Sequence, residues 1–193
     1  MLLKELSPAA TNPVPLRELA AHLRLSHGFT DDGSEDSLLE LYLRNATAVV
    51  ERRTSQALIS RPYLLQVASW DRHGNLNLPI GPVNTIDSIK FVSPGSTITL
   101  DPEDWQLEPG VTRQRITGAD CGPLWPLPRG AVAEFEFVAG YGESWNDVPD
   151  DLRQAVLLLA AHYYENRFGE VETDGGVPFG VLSIVEQHRP VRI

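Results

Sequence analysis

Residues 138–167, VAGYGESWNDVPDDLRQAVLLLAAHYYENR, decide the fold. The stretch starts as the end of a strand, breaks at Gly140-Tyr141-Gly142, restarts at Pro149 and then continues with helical spacing. Leu152, Ala155, Val156, Leu159 and Tyr163 recur at the interval that lines one helical face. Leu157, Leu158, Ala160 and Ala161 widen the apolar arc, so the helix is expected to be covered on more than one side. Pro149 presets the backbone angle of the first turn, and Asp150 and Asp151 put negative charge beside the N–H groups exposed there. A β-region hands over to a buried helix, and the rest of the chain is read outward from that junction.

Upstream of it, Ala131 to Ala139 alternates Ala133, Phe135 and Phe137 with Glu134 and Glu136, the pattern of an antiparallel strand with one wet face. Tyr63, Leu65 and Val67 alternate with Leu64, Gln66 and Ala68, and residues 86–92 are rich in β-branched and aromatic types. Shorter strands are expected at 97–100, 105–107 and 113–117, with turns at residues 73–75, 81–82, 94–95, 109–110 and 121–123. Further upstream, Pro15 opens a short helix through Leu16, Leu19, Ala20 and Leu23. A second helix starts near Ser34 or Ser37, with Ser37 and Glu40 at capping-box spacing, and runs to about Thr54. Residues 1–14 read as an extended arm. Downstream, Gly169 to Val177 is an acidic, glycine-rich loop, and Pro178 opens a last short helix through Val181, Leu182, Ile184 and Val185.

These readings predict an α+β fold: a helical bundle from the N- and C-terminal helices with an inserted antiparallel β-module. The expected parts are 1–60 (arm and helix pair), 61–140 (β-module), 141–176 (buried helix and acidic loop) and 177–193 (C-terminal helix and tail), within one structural domain overall.

Composition bounds the function. The 193 residues are 42% hydrophobic and 22% charged, ordinary for a folded soluble chain, and 26 acids against 16 bases give a formal charge of −10. Residues 141–193 alone carry 9 acids and 4 bases, and no basic block occurs anywhere. A protein that grips nucleic acid by its phosphates needs a basic stripe, which this sequence does not show. No secretory signal pattern and no run of membrane-spanning length is present, so the expectation is a cytoplasmic, soluble protein with no membrane partner.

Catalytic sets are thin. Cys121 is the only cysteine; it lies in a Gly-Ala-Asp-Cys-Gly-Pro turn with no helix start to activate it, and reads as an inert loop thiol. His162 and Glu165 sit three residues apart on one helix, but no third ligand and no HExxH pattern accompany them, so a polar helix edge is the expectation. The Gly140-Tyr141-Gly142 turn lacks the phosphate-loop pattern, and Glu143 would repel an anion. No catalytic residue, cofactor or metal is expected. Trp70, Trp105, Trp125 and Trp145 are read first as core of the β-module; Trp125 and Trp145, flanked by Pro or polar residues, form the expected exposed pair. On that pair rests the alternative reading, a β-rich module binding carbohydrate or protein.

With these residues in view, the chain resembles the head–tail connector, or adaptor, proteins of long-tailed bacteriophages and of phage-derived gene transfer agents. The resemblance is carried by LRELAAHLRL (16–25), DSLLELYLRNATAVVERRTSQAL (36–58), the AGYG turn (139–142), VPDDLRQAVLLLAAHYYENR (148–167) and VPFGVLSIVEQHRPVRI (177–193). It implies a non-enzymatic structural protein, made in the bacterial cytoplasm and placed in the neck of a virion or virus-like particle. It further implies a dodecameric ring under the portal protein, a platform for the next neck protein (a stopper or tail-terminator), and double-stranded DNA passing through a central channel without specific binding. The portal-binding arm would map to residues 177–193, with Phe179, Val181, Leu182, Val185, Arg189, Val191, Arg192 and Ile193 as its contacts.

Overall fold

The alternation of residues 132–139 produces the strand on which the β-region is built. The computed structural model describes residues 1–7, 14, 16–24, 35–110, 113–166 and 177–189. In chain order the elements are β1 (Leu2–Glu5), α1 (Leu16–His22), α2 (Asp36–Thr54), β2 (Arg61–Val67), β3 (Leu76–Asn77), β4 (Val83–Ser93), β5 (Ser96–Thr99), β6 (Trp105–Glu108), β7 (Arg115–Gly118), β8 (Val132–Ala139), α3 (Asp150–Glu165) and α4 (Phe179–His188). The fold is α+β, as the periodicities predict.

A five-stranded antiparallel sheet has the order β1-β2-β8-β4-β5, and a three-stranded one the order β3-β7-β6. β8 is central in the larger sheet. Phe135 pairs with Leu65 on one side and Ile89 on the other, and Phe137 with Tyr63 and Ile86. Ala133, Phe135, Phe137 and Ala139 are fully buried, while on the opposite face Glu134 accepts from Gln66 and Glu136 pairs with Lys90 at 3.0 Å. Inward residues of both sheets, including Leu76 and Ile116, share one apolar core with Leu78 and Leu124 from the connecting segments.

The helices build a second core. Leu39, Leu43, Ala46 and Val50 of α2 meet Leu152, Ala155, Val156 and Leu159 of α3, with Leu19 of α1 and Val181 and Val185 of α4 closing the sides. Three elements depart from expectation, the first being β3, a two-residue strand that no spacing predicts. Residues 2–5 of the arm are a strand that pairs with β2 in register Leu3↔Leu65, giving the sheet an edge made by the N-terminus. The capping box expected at Ser37 is absent: α2 starts after Glu35, which makes no side-chain cap, so Ser37 lies inside the helix. A capping box does form at Ser144, which accepts from Asn146 N–H while Asp147 accepts from Ser144 N–H, on a single 3₁₀ turn before α3.

Candidate interaction surfaces

Two clusters stand out among the contacts that join the β-region to the helices. The first is the glycine turn. Gly140 N–H donates to Pro82 C=O at 2.8 Å, Ser60 N–H to Gly142 C=O at 2.7 Å, and Asn84 Nδ2 to Gly140 C=O at 3.0 Å. Between them the Tyr141 hydroxyl donates to Gln56 Oε1 at 2.7 Å, and burial pushes its pKa up. A Cβ at Gly140 would lie 2.3 Å from Ser60 N, and at Gly142 2.3 Å from Asp147 Oδ2. Both positions therefore need glycine because other atoms occupy the space.

The second is Arg61, at the start of β2. Its Nη2 is 2.7 Å from Glu51 Oε2 on α2, its Nη1 2.9 Å from Glu51 Oε1, and its guanidinium lies 5.3 Å from the Tyr63 ring centroid. Arg61 Nε is 2.8 Å from Glu5 Oε1 on β1 but has no well-aligned hydrogen bond, so that contact is coulombic. Glu51 also accepts from Leu58 N–H at 2.8 Å. Burial acts to lower the Arg61 pKa, but the Glu51 carboxylate, seconded by Tyr63 and Glu5, outweighs it, and the pKa rises above its ordinary value. One side chain thus holds the edge strand, the central helix and the sheet.

α4 carries the residues expected to reach the portal, and the structure divides them. Val181 and Val185 are buried in the helical core, and Leu182 packs against it. Their apolar faces are engaged within the chain, because a ten-residue helix is held by burying one stripe. Phe179 is 85% exposed at the start of α4, an unusual exposure for a phenyl ring, and Arg189 is exposed at its end. Val191, Arg192 and Ile193 lie outside the described residues. His188 Nε2 lies 2.5 Å from Asp151 Oδ2, which ties the end of α4 to the start of α3. Burial acts to raise the Asp151 pKa, but the His188 hydrogen bond and the Leu152 N–H outweigh it, leaving the carboxyl below its ordinary value.

The tryptophans separate differently from expectation. Trp145 is not exposed: it is 4% accessible, belongs to the helical core, and its indole N–H donates to Glu18 Oε2 of α1 at 3.1 Å. Its polar sequence neighbours face outward on the 3₁₀ turn while the ring turns in. Trp125 is 55% exposed, with its carbonyl accepting from Trp70 Nε1 at 2.9 Å. Trp70 lies against Phe91 and Phe135 at the rim of the β core. The pair on which carbohydrate binding would rest is therefore not formed. His162 Nδ1 lies 3.0 Å from Asn166 Nδ2, at the end of α3. Cys121 is exposed, with Gln106 Nε2 at 3.0 Å from its sulfur.

Arg52, Arg53 and Arg113 belong to no motif in the sequence. The fold gathers them beside Arg189 around a cleft of about 240 Å³. The adjacent pair at the end of α2 was a visible signal, but nothing in the sequence marks Arg113 as their neighbour. Among the described residues no helix is long and apolar enough to cross a membrane.

No protein-family model matches the chain, and no curated protein does. Solved structures do. A chain from the neck of an empty gene transfer agent particle, computed with C6 symmetry, is 41% identical with a TM-score of 0.87. A chain from the virion of a native gene transfer agent particle is 40% identical with a TM-score of 0.85. A chain from the neck of a native particle, computed with C12 symmetry, is 36% identical with a TM-score of 0.83. Each match covers 100% of this chain and 97% of the other. Fold and likeness together define a structural protein of the virion neck. The chain belongs to the family of phage-type neck proteins found in gene transfer agent particles.

Proposed function

We propose that the protein is the adaptor of the neck: a ring-forming, non-enzymatic subunit that sits under the portal, receives the next neck protein and leaves a channel for double-stranded DNA. The observation that carries this reading is the full-length likeness to neck chains whose particles were computed with C6 and C12 symmetry. Both symmetries suit a twelve-membered ring. Phe179 and Arg189, with Val191, Arg192 and Ile193 in sequence after them, form the portal-facing set, while Val181, Leu182 and Val185 hold α4 in the helical core. The acid surplus suits a channel wall that lets phosphates slide past.

The test is incorporation into particles, measured by quantitative immunoblotting of purified particles. Ending the chain after Gly176 should abolish it, but that change also strips Val181 and Val185 from the core. Two milder variants keep the core: Phe179→Asp, and a chain ended after Arg189. Each is expected to lower incorporation at least about tenfold, as for a lost interface anchor. Wild-type incorporation by both would overturn the portal assignment.

A further inference from the structure

Four basic side chains are neutralised within the chain. Arg61, Lys90, Arg115 and Arg153 are all paired with carboxylates. The cleft between the end of α2 and the end of α4 instead gathers four arginines from three separate parts of the chain. Arg52 and Arg53 come from the last turn of α2, Arg189 from the residue after α4, and Arg113 from the segment before β7. Among the described residues Arg52, Arg53 and Arg189 have no carboxylate partner. Among the described residues Arg113 donates only to the Ser55 hydroxyl, at 3.3 Å, and its buried Nε has no acceptor. The lining thus holds four arginines and one acidic residue, Glu186, together with the apolar Leu182 and Val185.

We infer that this cleft is a receptor for carboxylate side chains presented by a second copy of this chain. Guanidinium forks match carboxylates in bidentate pairs, and the apolar Leu182 and Val185 in the lining suit the methylene stem of Asp or Glu. Charge complementarity selects the occupant. A copy with a formal charge of −10 repels its neighbour unless basic groups of one face acids of the other. In a closed ring each interface joins two unlike faces, so a basic cleft and an acidic counterpart can both belong to the same chain. Asp101, Glu103 and Asp104, on an outward 3₁₀ turn without an ion-pair partner among the described residues, supply such a counterpart. Duplex DNA fits less well: it needs a stripe of cations along its phosphates, and here they surround a recess on an acidic molecule.

The inference rests on the ring reading, and the experiment separates the two. Particles carrying Arg53→Lys or Arg52→Lys are treated with a carbodiimide, which joins an amine to a carboxylate in direct contact with loss of water. The expected result is a covalent dimer of this chain, its cross-link mapped by mass spectrometry from the introduced amine to an Asp or Glu of the second copy. Arg52→Glu combined with Arg53→Glu, neither of them in the portal-facing set, is expected to reduce incorporation at least about tenfold, with circular dichroism unchanged. Absence of the protein from wild-type necks would fail the ring reading. Normal incorporation without any cross-link, or a cross-link only to another neck protein, would overturn the cleft inference alone. Protection of the introduced amines by packaged DNA, lost in empty particles, would overturn it in favour of phosphate.

Discussion

Gly140 has φ of 143°, and the place of its missing side chain is taken by Ser60 N at 2.3 Å and Ser60 Cα at 2.4 Å. An alanine there must shift backbone, because neither neighbour is the tip of a flexible side chain. Gly140→Ala is expected to cost about 3 kcal/mol, combining conformational strain with the clash. For a chain of this size that is a fall in Tm of about 8 °C, which differential scanning calorimetry would register. The position was legible as a turn in the sequence, but its reason was not: Ser60 is eighty residues away. Trp145 gives the opposite case. Glu143, Ser144, Asn146 and Asp147 around it imply exposure, yet the indole is buried because Glu18 of α1 satisfies its N–H. A partner on another element decided it, and local sequence carries no trace of that partner.

At the scale of elements, the long periodic segments were readable and the short ones were not. α2, α3, β2, β4 and β8 bury stripes whose spacing is written in the chain. β3 has only two residues, too few for any period, and β1 offers LLKE, which alternates with nothing. Both exist because pairing partners elsewhere accept them. Which side of α4 turns inward is likewise not written in its ten residues, since that burial depends on α2 and α3. α4 is also where pH should act. The Asp151 carboxyl lies below its ordinary value of 3.8, so the folded chain takes up this proton less readily than the unfolded one. Its stabilisation is complete above that value and disappears as pH falls through the lower folded pKa. Urea midpoints of the wild type should therefore drop more steeply below about pH 4 than those of Asp151→Asn. Parallel curves would remove the Asp151–His188 tie from the account of how α4 is held.

On the scale of the whole molecule, two cores meet along residues 55–61. Ala57 belongs to the β core, its neighbours Leu58 and Ile59 to the helical core, and Arg61 fastens α2 to β1 and β2. Removing that guanidinium leaves Glu51 desolvated and unpaired. Arg61→Ala is expected to cost about 3–5 kcal/mol in chemical denaturation, whereas Arg61→Met with Glu51→Leu should recover most of it. A similar cost for the double variant would mean that the ion pair itself, not the orphaned carboxylate, matters.

β8 has a further consequence, in time. It is the middle strand of the large sheet yet the last of its five to be synthesised, and both β2 and β4 pair with it. At roughly 10 residues per second, about 5 seconds pass between the emergence of β4 and that of β8 from the ribosome. During this interval two apolar strands wait with open edges for one missing neighbour. Crowded nascent chains of this protein are then most prone to pair with each other, and the hazard ends when residues 132–139 slot between the strands already made.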